Sequence, residues 1–159
     1  MADENGLEKT AQRLRERLNN LSEFAHDVAA PIVFQHFRLL YKQSGLKQGG
    51  DAAAYNALLG PHSPGALYQY DSGSQTMTCG IDVSGKLYYM RYQIQGVPFS
   101  WTIAGRRRKV LSFIWHGKRV FFKSVLHPPL QAHDIIDIDD ETRDKIERMK
   151  NDWIMEGIS

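Results

Sequence analysis

Residues 99–126 read FSWTIAGRRRKVLSFIWHGKRVFFKSVL, and the alternation inside them decides the fold class. Phe99, Trp101 and Ile103, then Leu111, Phe113 and Trp115, then Val120, Phe122 and Leu126 recur at the two-residue period of strands with one apolar face. The breaks are turn-like: Gly105 and its arginines separate the first two runs, and His116-Gly117 the next two. Upstream, the same period sets Met77, Cys79, Ile81 and Val83 on one strand and Tyr88, Met90, Tyr92 and Ile94 on another. Asp82-Val83-Ser84-Gly85 reads as the hairpin turn between them, and Gln95-Gly96 as the next. Connections this short allow only antiparallel neighbours. The pattern predicts an up-and-down β-meander of five strands, with 66–71 as a possible sixth, inside a sheet region of 66–127.

Outside that region the period is helical. Leu7, Ala11, Leu14, Leu18, Leu21, Ala25 and Val28 follow steps of four and three, a coiled-coil-like seam held for three heptads. Leu7, Leu14, Leu18 and Leu21 are its candidate dimerisation residues; the alternative is that the helix lies along the chain's own sheet. Pro31 interrupts the seam and fits the first turn of a second helix, about 31–43, with Ile32, Val33, Phe37 and Leu40 on one side. Asp51 can cap a short helix through Asn56 and Leu59. After Pro128-Pro129, Asp139 or Asp140 caps a last helix carrying Ile146, Met149, Trp153 and Ile154. The expected class is α+β: one domain over 1–159, with a helical region 1–44, the antiparallel sheet, and a C-terminal helix 139–156.

Charge points to the partner. From residue 83 to 133 the chain has no Asp or Glu and nine cations: Lys86, Arg91, Arg106, Arg107, Arg108, Lys109, Lys118, Arg119 and Lys123. Seven basic against nine acidic residues leave 1–82 at −2, and four against nine leave 134–159 at −5. The overall +2 thus conceals a polarised molecule, whose one-sign field attracts polyanions. If the apolar face is buried, the opposite sheet face presents Tyr89, Arg91, Ser100, Thr102, Arg108, Ser112, His116, Arg119, Phe121 and Lys123. Cations neutralise phosphates while flat rings stack on bases, the combination that binds single-stranded nucleic acid. Arg106, Arg107, Arg108 and Lys109 repel one another at one connection and gain most when an anion binds. The acidic tail could instead fold over this face.

Catalytic chemistry finds less footing. Asp137 to Glu141 lacks the glycine and distal glutamate of a calcium loop and reads as a helix start. His127, His133, Asp134 and Asp137 can be drawn as a mononuclear metal site, but their spacing matches no ligand signature. No metal or cofactor is expected. Lone Cys79 sits in an apolar alternation and reads as an inert thiol in a reducing compartment. His116, Arg108, Arg119 and Tyr89 could act as acid, base and cations of a metal-independent ribonuclease. In composition alone the chain is similar to small ribosome-dependent toxin ribonucleases, and no motif residue carries over.

The resulting expectation is a small, non-enzymatic, cytoplasmic protein with no membrane span. It would dimerise through the first helix and bind nucleic acid through Tyr89, Arg91, Arg106, Arg107, Arg108, Lys109, His116, Arg119, Phe121 and Lys123. The alternative is a module (an inhibitor, secretion chaperone or adaptor) that docks its basic face on an acidic protein; a ribonuclease is third.

Overall fold

The computed structural model describes residues 4–46, 52–105 and 110–156, which divide into two compact units. Residues 1–88 and 134–159 belong to the first, and 89–133 to the second.

The first unit is built on a helical spine. Helix α1 (Glu4–Asn19) is followed by α2 (Leu21–Phe24), a π-helical turn (Ala25–Ala29) and α3 (Ala30–Gln43). Pro31 stands at the start of α3, and its missing N–H is absorbed by the widened turn before it. The helix therefore continues through the proline where the sequence reading had it restart. Phe24, Ala29, Ala30, Val33, Phe34, Phe37 and Tyr41 are buried along this spine. They are joined by Leu58 just after α4 (Ala52–Ala57), and by Ile81 and Ile135. Asp51, the proposed cap of α4, lies outside the described residues.

Strands β1 (Ala66–Asp71) and β2 (Thr76–Ile81) form an antiparallel hairpin, with Tyr68 opposite Cys79 and Tyr70 opposite Met77. The Asp71 carboxylate accepts from Gly73 N–H at 2.9 Å and from Ser74 Oγ at 2.8 Å, which fixes the turn. Helix α3 packs on β2 and on the C-terminal helix, labelled α6 here (Asp140–Met155). Asp139 caps α6: its Oδ1 accepts from Thr142 N–H at 2.8 Å, so its carboxyl is held below the usual range. Helix α1 meets α6 instead of a sheet. There Arg17 lies 4.4 Å over the Trp153 ring, and Phe24 packs on Trp153 at 5.8 Å. Leu21 is buried and Leu14 half-buried, but Leu7 is 71% and Leu18 47% exposed, so the unit's own core uses only part of the heptad seam.

The second unit differs most from expectation. Residues 88–95 are turn and helix α5 (Met90–Gln95), not a strand. Leu87, Met90 and Ile94 also fit steps of three and four, and the helical period wins. Asp82 makes a side-chain turn with Ser84, accepting from its N–H at 2.9 Å, that leads into these helical turns and not into a hairpin. Strands β3 (Trp101–Ala104), β4 (Leu111–Trp115), β5 (Lys118–Phe122) and β6 (Ser124–His127) follow. Among the described residues there are six strands, but as three two-stranded sheets, β1-β2, β3-β6 and β4-β5, and not as one meander.

Candidate nucleic-acid interface

The two sheets of the second unit nest into one interrupted ribbon. Val97 bridges Leu130, Trp101–Ala104 pair with Ser124–His127, and Leu111–Trp115 pair with Lys118–Phe122. The ribbon ends in a two-residue turn whose residues both take positive φ, 47° at His116 and 78° at Gly117. That is the mirror-image turn matching strand twist, and glycine at the second place lowers its strain.

Directly paired residues share a face of the ribbon. In β4-β5 one face holds Leu111, Phe113, Trp115, Val120, Phe122 and Lys118, and the other Ser112, Ile114, Arg119 and Phe121. The sequence reading placed Arg119, Phe121 and Ser112 together, and they are together. It also placed Phe113, Trp115 and Phe122 together, and their rings do stack: Phe113 on Phe122 at 5.7 Å and on Trp115 at 6.3 Å. Its error was to call that face buried. Trp115 is 52% and Phe121 63% exposed, so rings are open on both faces. Two strands cannot cover a face by themselves, and among the described residues of this unit only Met90 is buried. Leu126 pairs with Thr102, on the face opposite Trp101, Ile103, Val125 and His127, because the ladders are offset where they join at Lys123. Trp101 and His127 stack at 4.2 Å.

The offset matters for the arginine segment. One arm passes from β5 to β6 through Lys123 alone, while the other passes from β3 to β4 through residues 105–110. Gly105 N–H donates to the Lys123 carbonyl at 3.3 Å. A Cβ at Gly105 would stand 2.5 Å from Val110 N, so the two ends of this excursion touch, and only glycine allows it. Arg106, Arg107, Arg108 and Lys109 themselves lie outside the described residues. In sequence the four consecutive cations stand between Gly105 and Val110, the two residues whose backbones meet at this pinch.

Tyr89 and Arg91 are not on the ribbon. Tyr89 precedes α5 and Arg91 lies within it, where its Nη2 donates to the Tyr92 hydroxyl at 3.2 Å. His116 sits at the ribbon's turn, with Lys118 and Arg119 just beyond it and exposed. The four groups drawn as a ribonuclease site therefore do not line one sheet face: Tyr89 heads a helix, and Arg108 is among the residues not described. Lys118 and Trp115, which sequence reasoning left out of the candidate site, are exposed beside its turn. No sequence signal gave them, because strands paired only in twos, which keep both faces in solvent, leave the same alternation as a meander.

Elsewhere, His26 and Asp27 on the π-helical turn approach to 2.6 Å, from ring Nδ1 to carboxylate Oδ1. The His26 ring meets His62 at 4.5 Å and Tyr68 at 5.4 Å, and burial pushes the Tyr68 phenol up. Sequence spacing gave no sign of this cluster, which gathers three elements. Burial pushes the Cys79 thiol up to about 11, which leaves it unreactive at neutral pH. Among the described residues no group of three or more His, Cys, Asp or Glu is placed to hold a metal ion. None of their helices is long and apolar enough to cross a membrane.

Comparison with known proteins finds no family model that matches the chain, no similar curated protein and no similar solved structure.

Proposed function

We propose that the chain is a non-enzymatic nucleic-acid-binding protein whose ribbon engages single strands without strong sequence preference. One observation carries this reading: the acid-free segment coincides with a separate compact unit. Residues 89–133 hold eight cations and no Asp or Glu, at +8, while the rest of the chain is at −6 with twelve Lys and Arg against eighteen Asp and Glu. Open rings beside those cations offer stacking surfaces to bases that a duplex would keep to itself. The N-terminal helix, with Leu7 and Leu18 left open, would pair two copies, and an inert lone thiol suits the cytoplasm.

A second reading rests on the aliphatic side chains. Ile114 and Leu126 are 69% and 67% exposed, and they give a nucleic acid little, whereas an acidic protein partner would cover them. Fluorescence anisotropy of labelled single-stranded RNA and DNA decides between the two. Trp115→Ala with Phe121→Ala should weaken binding by about 1–3 kcal/mol for each base that loses its stack, with the salt dependence unchanged. If the wild-type protein binds no oligonucleotide even at low salt, the nucleic-acid reading fails and the acidic-protein reading takes its place.

A further inference from the structure

The first unit contains a cavity of about 400 Å³ between α3, α4 and α6 that is cationic inside an otherwise acidic body. Arg38 and Lys42 line it from α3 and Lys145 from α6, with His36 and Tyr55, and among the described residues no Asp or Glu lines it. We propose that it is a binding site for a small phosphate monoester, a ligand distinct from the polyanion of the ribbon.

Arg38 and Lys42 are four residues apart on one helix, a like-charge pair that weakens a helix, and Lys145 adds a third charge from the facing one. An anion bound among them removes that conflict. Arg38 is held in place: its Nη2 donates to the Tyr55 hydroxyl at 2.9 Å, and its guanidinium lies 5.0 Å over the Tyr55 ring. Its Nε is buried and has no hydrogen-bond partner among the described residues. A buried charged donor without an acceptor is costly, and the planar guanidinium to which it belongs is the side-chain group best matched to a phosphate. The Arg38 hydrogen bond, and then the charges of Arg38 and Lys42, hold the Tyr55 phenol below its usual value. Asp139 stands 3.9 Å from Nε2 of His36 and serves the cap of α6.

Three cations suit a dianion better than a single carboxylate. The cavity is larger than phosphate alone and within the range of small-molecule sites. Leu39, half exposed, supplies an apolar wall for an organic body attached to the phosphate.

The test is calorimetric titration of the full chain with phenyl phosphate and with inorganic phosphate at low salt. Phenyl phosphate should bind saturably with one site per chain. Lys42→Gln with Lys145→Gln, both exposed and so harmless to folding, should weaken it by about tenfold or more. Leu39→Ala should weaken phenyl phosphate and leave inorganic phosphate unchanged. Lys118→Gln with Arg119→Gln and Lys123→Gln, on the ribbon, should change neither. The assignment is overturned by absence of saturable binding, by full affinity in the Lys42/Lys145 variant, or by loss of binding in the ribbon variant, which would put the phosphate on the ribbon.

Discussion

Replacing Lys118, Arg119 and Lys123 together by glutamine removes three of the eight cations of the basic unit at exposed positions around the ribbon's turn and pinch. Counterion release makes the consequence calculable. A single-stranded ligand gives a slope of log affinity against log salt of about −0.7 per phosphate neutralised, so eight contacts give at most about −5.6. Raising salt from about 50 to about 200 mM then costs the wild-type protein up to about 2,000-fold in affinity. With five contacts left the slope flattens to about −3.5, and the same change costs about 100-fold. The three side chains are outside any core, so unfolding free energy should move by no more than about 0.5 kcal/mol. Anisotropy of a labelled oligonucleotide across a chloride series reads the slopes, and a denaturant melt reads stability. A variant that keeps the wild-type slope would show that phosphates lie elsewhere, and the ribbon would lose its role.

Three other expectations follow from the same structure. Phe37→Ala, at a fully buried ring, should cost about 3–5 kcal/mol, and Phe121→Ala about 0.5 kcal/mol or less; the opposite order in denaturant unfolding would refute a core centred on α3. Light scattering should report a dimer that Leu7→Glu with Leu18→Glu makes monomeric but folded, since both leucines are open to solvent; a wild-type monomer at high concentration rules pairing out. The Asp139 carboxyl is held below its ordinary value by the Thr142 hydroxyl and N–H, so its contribution is complete above the unfolded-state value of about 4 and is lost as pH falls through the lowered one. Between about pH 4 and the lowered value, thermal stability should therefore fall less steeply with pH for Asp139→Asn than for wild type, and equal slopes across that window would refute the cap's role.

How far the sequence could be read depended on whether a pattern named its partner. The helical period of 31–43 and the cap at Asp139 are local, and both elements form where the residues place them. The His116-Gly117 turn is local too, and so is the register that puts Phe113, Trp115 and Phe122 on one face. Which strand lies beside which is not local. Alternation says that a strand has two faces but not what covers either, so three two-stranded sheets and one meander leave the same trace between Ala66 and His127. Segment 88–95 failed for a related reason: five apolar residues within eight positions satisfy both periods, and only the packing of Leu87 and Met90 separates them. Of the candidate site, the basic segment and Arg119 with Phe121 were legible. The pinch at Gly105 was not, because it depends on Val110 meeting it in space.

The charges on which the proposed interface rests also weaken the ribbon as a free unit. Two strands are marginal in water on their own, and here they hold together through stacked rings such as Trp101 with His127 and Phe113 with Phe122. The segment carries eight cations and no carboxylate, and of these Lys118 and Arg119 lie on the ladder and Lys123 where its two parts join, so the like charges repel one another. Salt acts on the two states in opposite directions: it screens the repulsion in the free ribbon and displaces the polyanion from the bound one. A bound strand supplies the negative charge that the segment lacks, so whatever affinity the ribbon has also stabilises its own fold by mass action. Acidic residues within 89–133 would have steadied the free ribbon more simply, and under the function proposed above their complete absence is offset by the charge of the bound strand.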